Sequence, residues 1–251
     1  VAEGTLLKKG EAIMREEGFT LGAVPAVVYG EEADRVFLFV HGRCGCKEEG
    51  RDFAALSAPF GWQVLAVDLP EHGARQDGPE PLDPWHAVPE LQSAMEYARG
   101  RWRRVALRAT SIGACFSMLA FADTPPERSL LVSPVLDMAG LIETMLGWAG
   151  ATAEDLRRRG TIPTEFGETL SWRYYQYALA HPTADWPGRT DILYAGRDNM
   201  TPRATAEAFA ARSGRTLTVM EDGEHWFHTP QQLAVLERWT LRMLTEEGEA
   251  V

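Results

Sequence analysis

Short apolar runs alternate with stretches of helical spacing along most of the chain. Arg35-Val-Phe-Leu-Phe-Val40 is continuously apolar and rich in β-formers, as a strand covered on both faces should be. Gln63-Val-Leu-Ala-Val-Asp68, Val105-Ala-Leu107, Leu130-Leu-Val-Ser133, Asp191-Ile-Leu-Tyr-Ala195 and Thr216-Leu-Thr-Val-Met220 read as further strands. Between them lie helical patterns. Lys47 to Ala58 spaces Phe53, Leu56 and Ala58 along one face, and Asp83-Pro84 supplies an N-cap followed by Pro at the first helical position, opening a helix to about Arg99. Ile112 to Phe121 and Pro202 to Arg212 are helical, and Thr229-Pro230 opens a last helix with an apolar stripe of Leu233, Leu236, Trp239 and Met243. Thr20 to Gly30 predicts one or two antiparallel edge strands.

This alternation predicts an α/β fold with a mostly parallel, doubly wound sheet. The rhythm breaks from about Asp137 to Thr190. No strand is legible there, and the helical pieces carry Trp148, Trp172, Tyr174, Tyr175, Tyr177 and Trp186. The expectation is one domain over 1–251, with 137–190 inserted as a small helical cap.

A chain of 251 residues buries a sizeable core without a disulfide or metal staple, and 45% hydrophobic with 24% charged residues is an ordinary globular balance. Its 25 Lys and Arg against 36 Asp and Glu leave a net charge of −11, which argues against a nucleic-acid partner. Three cysteines, with Cys44 and Cys46 close and Cys115 distant, form no disulfide framework and fit a reducing, cytoplasmic setting. One Cys-x-Cys pair without further ligands predicts no metal site. Val36 to Val40 is too short to span a bilayer, and the broken apolar pattern around Lys8 and Lys9 has no signal-peptide core, so no membrane association is expected.

The chemistry gathers just past the predicted strands. Val105 to Thr110 runs into Ser111-Ile112-Gly113, with Ser111 flanked at two-residue spacing by Ala109 and Gly113. A very tight strand-to-helix turn needs small residues there; it would push the Ser111 Oγ out of the sheet and aim the first free helix N–H at whatever the serine attacks. The same pattern also fits an ordinary helix cap. Elsewhere, His41-Gly42-Arg43-Cys44-Gly45 follows one strand and Asp68-Leu-Pro70-Glu-His72-Gly73 another. Gly196-Arg197-Asp198 follows the fifth strand, with Pro202 beyond it, and Gly223-Glu224-His225 follows the sixth.

Taken in order, these five elements resemble the α/β-hydrolase superfamily over nearly the whole chain, although Ala109 replaces the first glycine of the family's Gly-x-Ser-x-Gly elbow. The resemblance implies that Ser111 is a nucleophile, His225 its base and Asp198 the acid. It implies oxyanion donors at the backbone N–H groups of Arg43 and Ile112, and no cofactor. Asp137 competes with Asp198 as the acid, since some family members draw it from after the fourth strand; otherwise Asp137 caps a helix. His228 competes with His225, and His72 is expected to be structural. Cys115, one helical turn after Ser111, reads as a small core residue. Trp148, Trp172 and Tyr175 are expected to line an apolar substrate pocket. The implied activity is hydrolysis of small-molecule carboxylic esters with small or medium acyl groups. Thioester or amide cleavage on the same residues, and a non-catalytic binding member of the fold, are the alternatives.

Overall fold

The computed structural model describes residues 14–212 and 214–248; the stretch around Lys8 and Lys9, with its expected lack of a signal-peptide core, lies outside them. The chain opens with β1 (Glu16–Leu21) and β2 (Val24–Tyr29), then β3 (Arg35–Val40), α1 (Gly50–Ser57), β4 (Gln63–Val67) and α2 (Pro84–Arg101). It continues with β5 (Arg104–Thr110), α3 (Ser111–Ala120) and β6 (Ser129–Val132). An insertion follows, made of α4 (Met138–Trp148), α5 (Ala153–Arg159), β7 (Thr161–Pro163), β8 (Thr169–Ser171) and α6 (Trp172–Ala180). The chain returns to the sheet as β9 (Thr190–Ala195), α7 (Arg203–Ala210), β10 (Arg215–Met220) and α8 (Pro230–Gly248).

Eight strands form one sheet in the order β1-β2-β4-β3-β5-β6-β9-β10. The β1–β2 and β2–β4 pairings are antiparallel and the rest parallel, so this is an α/β fold with a mostly parallel sheet. The period of two along each strand sorts the core into layers. Val36, Leu38 and Val40 of β3 face the layer of α2, α3 and α7, built on residues such as Leu91, Phe116 and Phe209. Phe37 and Phe39 face the opposite layer, with Phe53 of α1 and Trp239 and Met243 of α8. Residues alternating to two buried faces are why this strand reads as an unbroken apolar run.

Two sequence expectations need correction. The edge hairpin begins at Glu16 rather than Thr20, because the charged start of β1 hides the pattern. The interval from Asp137 to Thr190 also contains strands: β7 and β8 pair antiparallel, with three residues each. Three residues are too few to display a period, and Pro163 in β7 reads against a strand. The insertion has its own core of Ile142, Leu146, Leu156, Ile162, Leu170, Tyr175 and Ala178. No helix among the described residues is long and apolar enough to cross a membrane.

Candidate active site

Ser111 ends the β5 turn with φ +51°, in the left-handed region that a residue with a side chain adopts at a cost of order 1–3 kcal/mol. The turn is tight because three backbones converge there. A Cβ on Gly113 would stand 2.1 Å from the His41 carbonyl oxygen, so only glycine lets α3 start against the end of β3. A Cβ on Gly42 would meet the Ser111 Cβ at 3.2 Å, so the loop after β3 passes directly over the serine. Ala109 is fully buried. As the first residues of α3, Ser111 and Ile112 carry backbone N–H groups without an intrahelical partner.

The Ser111 Oγ lies 2.8 Å from His225 Nε2, and His225 Nδ1 lies 2.7 Å from Asp198 Oδ2. With the carboxylate accepting, Nδ1 carries the proton and Nε2 is the acceptor for the serine hydroxyl. The other Asp198 oxygen accepts from the Met200 N–H at 2.7 Å and the Thr201 N–H at 3.0 Å. The Asp198 side chain is fully buried, while His225 keeps some solvent access. Gly196 is packed so closely on Glu221 that a Cβ would stand 2.5 Å from its carbonyl oxygen, which locks the loops carrying Asp198 and His225 together.

The loop that carries Arg43 is tied from two sides. The Cys44 N–H donates to His72 Nε2 at 2.9 Å, and His72 Nδ1 donates to the Pro70 carbonyl. His41 is held similarly, donating from Nδ1 to the Gly42 carbonyl and accepting from the Leu69 N–H at Nε2. Burial lowers its pKa from 6.5 to about 4, so it stays neutral. Cys44 takes φ +62° in this loop and its side chain is exposed. From the insertion, Glu168 forms a 2.6 Å ion pair with Arg43 Nε.

Other candidates fall elsewhere. Asp137 caps α4, accepting from the Gly140 N–H at 2.9 Å. His228 stacks on the exposed Trp226 and donates from Nδ1 to its carbonyl. Cys115 is fully buried, and burial pushes its thiol up to about 12, which makes it a core residue and no nucleophile. Two of the three aromatics expected in a substrate pocket, Tyr175 and Trp172, pack in the insertion's own core. Tyr175 is buried in the insertion's own core, with Trp172 packed against it, and its hydroxyl donates to Glu143. Trp148 is 47% exposed, lies against Phe166 and lines with it a cavity between the end of α4 and the β7–β8 turn. Helical phase is the reason: Trp172 and Tyr175 share one face of α6, whereas Tyr174 and Tyr177 face Trp85 at the start of α2. Aromatic content alone carries no phase. Among the described residues, no cluster of three or more His, Cys, Asp or Glu is placed to hold a metal ion.

The family model described as "Alpha/beta hydrolase family" matches residues 37–238. No curated protein matches the sequence. Among solved structures, Est1E from Butyrivibrio proteoclasticus with ferulic acid bound is similar at 16% identity and a TM-score of 0.71, covering 92% of this chain and 98% of that one. An esterase of Pyrococcus furiosus is similar at 13% identity and a TM-score of 0.64, with 92% and 88% covered. A thioesterase domain from the curacin biosynthetic pathway is similar at 17% identity and a TM-score of 0.59, with 92% and 100% covered.

Proposed function

This chain belongs to the alpha/beta hydrolase family, and from that premise we propose that it is a serine hydrolase that cleaves carboxylic esters of small or medium acyl groups through an acyl-enzyme on Ser111. The observation that carries the reading is the continuous hydrogen-bond path from the Ser111 Oγ through His225 to the buried Asp198. Ser111 attacks the acyl carbonyl as His225 Nε2 accepts its proton. Asp198 holds the imidazole in the Nδ1–H tautomer and stabilises the imidazolium. The N–H groups of Arg43 and Ile112 receive the oxyanion, an effect worth roughly 10²–10³ in rate per donor. His225 then protonates the departing alcohol, and water, activated by the same base, releases the acid. The residues that act need no cofactor for these steps. The insertion over 137–190 serves as the cap: its Glu168 reaches Arg43, and its Tyr174 and Tyr177 pack on Trp85.

An esterase and a thioesterase domain both share the fold, so the choice between ester and thioester is settled by the substrates the protein turns over. The test is labelling with a fluorophosphonate, with p-nitrophenyl acetate as substrate. The wild type should label at Ser111 and turn over; Ser111→Ala should lose the label and lose turnover on the order of 10⁴–10⁶-fold, with its folding intact. A Ser111→Ala protein that still labels and hydrolyses at the wild-type rate rejects the assignment.

A further inference from the structure

Among the buried residues of β5, Arg108 alone is charged. It stands opposite Phe39 of β3 and Leu130 of β6, and its guanidinium lies 5.9 Å from the ring centre of Phe39 and 5.8 Å from that of Phe53 in α1. Only 5% of the residue is exposed. Its Nε is sealed from solvent and has no hydrogen-bond partner among the described residues. No carboxylate there pairs with it either, and Glu49 favours its charge only at longer range. Burial lowers its pKa from 12.5 to about 10, so it stays charged at neutral pH. A cation buried this way is costly, and an apolar side chain of similar volume in its place is often neutral or stabilising.

What the guanidinium does hold is the turn that carries the serine. Its Nη1 donates to the Ala109 carbonyl and to Thr110 Oγ1, each at 3.0 Å. These are the two residues immediately before Ser111. Ser111 keeps φ +51°, and a backbone in that region persists only where its surroundings over-determine it. Thr110 carries the contact further. It is β-branched, so holding its hydroxyl also fixes its methyl group. A Cβ on Gly42 would stand 3.4 Å from that methyl, so Thr110 borders the loop that presents Arg43. One guanidinium thus braces the end of β5 and, through Thr110, the loop packed over it.

We propose that Arg108 is a positioning residue of the reaction: it fixes the turn before Ser111 and the rotamer of Thr110, so that the serine and the loop opposite it keep their reacting geometry. It acts through Ala109 and Thr110. This rests on the hydrolase reading above. The signature is an exchange of stability for rate. Removing the charge relieves a buried cation and loosens the turn, whereas a residue that serves only packing would lose stability and leave turnover unchanged.

The experiment compares Arg108→Met, Arg108→Lys and Thr110→Val with the wild type. It measures kcat and KM on p-nitrophenyl acetate, the rate of fluorophosphonate labelling and the midpoint of thermal unfolding. Arg108→Met keeps the length of the side chain and loses its charge and donors. Its kcat and labelling rate should fall about 10-fold or more, with KM within about 2-fold and an unfolding midpoint equal to the wild type's or higher. Arg108→Lys keeps the charge on one compact ammonium and should recover part of the loss. Thr110→Val keeps the branched shape and loses the acceptor; it should lower kcat about 3-fold or more and add little to Arg108→Met in the double variant. A wild-type kcat in Arg108→Met, with a lowered midpoint, would make Arg108 a packing residue and overturn the proposal. Should Arg108→Met fail to fold, a wild-type kcat and labelling rate in folded Thr110→Val overturn it in the same way. Both results leave the hydrolase reading intact; a folded wild type that neither labels nor hydrolyses any ester overturns that reading and this proposal with it.

Discussion

The histidine at the end of β3 shows how much one residue's environment decides. His41 is enclosed between Gly42 and Leu69, and both ring nitrogens are used: Nδ1–H donates and Nε2 accepts. A second proton on Nε2 would break the bond from Leu69 and place a charge in a dry site. Burial therefore lowers its pKa from 6.5 to about 4. Between those two values the unfolded chain binds a proton that the folded chain refuses. The stability His41 contributes is thus full above about pH 6.5 and is lost as the pH falls toward about 4. The amount is of order 3 kcal/mol. Denaturant unfolding followed from pH 7 to pH 4.5 should show a falling midpoint, and His41→Asn should remove a large part of that slope. A slope unchanged in the variant would assign the acid sensitivity to other groups. In the sequence this histidine is visible as part of a His-Gly turn, but its neutrality depends on Leu69, which the sequence does not place beside it.

At the scale of elements, the loop after β3 and the insertion act on each other. His72 holds the loop at Cys44 from the sheet side, and Glu168 holds it at Arg43 from the β7–β8 turn. The Arg43 and Glu168 side chains are both partly exposed, so their attraction is modest and screened. A double-mutant cycle on Arg43→Ala and Glu168→Ala should give a coupling of roughly 0.2–1 kcal/mol that shrinks in 1 M salt. A zero coupling at low salt would mean that the two elements are not linked through this pair. The sequence made the main elements legible, because long strands buried on two faces and capped helices carry strong local signals. It also brought out Ser111, Asp198 and His225 as candidates, since each follows a strand end. What it could not show was anything set by tertiary phase. Strands of three residues have no period, Glu168 reaches Arg43 across a long separation in sequence, and the choice between Tyr174 and Tyr175 depends on how α6 is rotated in place. The resemblance already favours Asp198 over Asp137 as the partner of His225; the fold brings Asp198 to it by pairing β9 with β10.

Across the whole molecule, the sheet is interrupted where chemistry gathers. β6 and β9 are neighbours, with Ser129 opposite Thr190, yet the entire insertion lies between them in sequence. Joining those strands means closing a long loop, and the entropy of closure must be met before the pairing stabilises anything. The insertion's separate core changes that problem. A loop that has already condensed around Leu156, which is fully buried, presents its two ends as a folded unit rather than as a free coil. If the insertion condenses first, the timing of folding depends on a segment that contributes no strand to the main sheet. Leu156→Ala, which should cost about 2–5 kcal/mol in a closely packed site, is expected to slow the refolding arm of a denaturant chevron rather than only speed the unfolding arm. A change confined to unfolding would mean that the sheet closes first and the insertion condenses onto it later. Refolding speed and substrate choice would thus be set by the same stretch of chain, so exchanging the insertion to alter specificity would also reset how fast the protein reaches its native state.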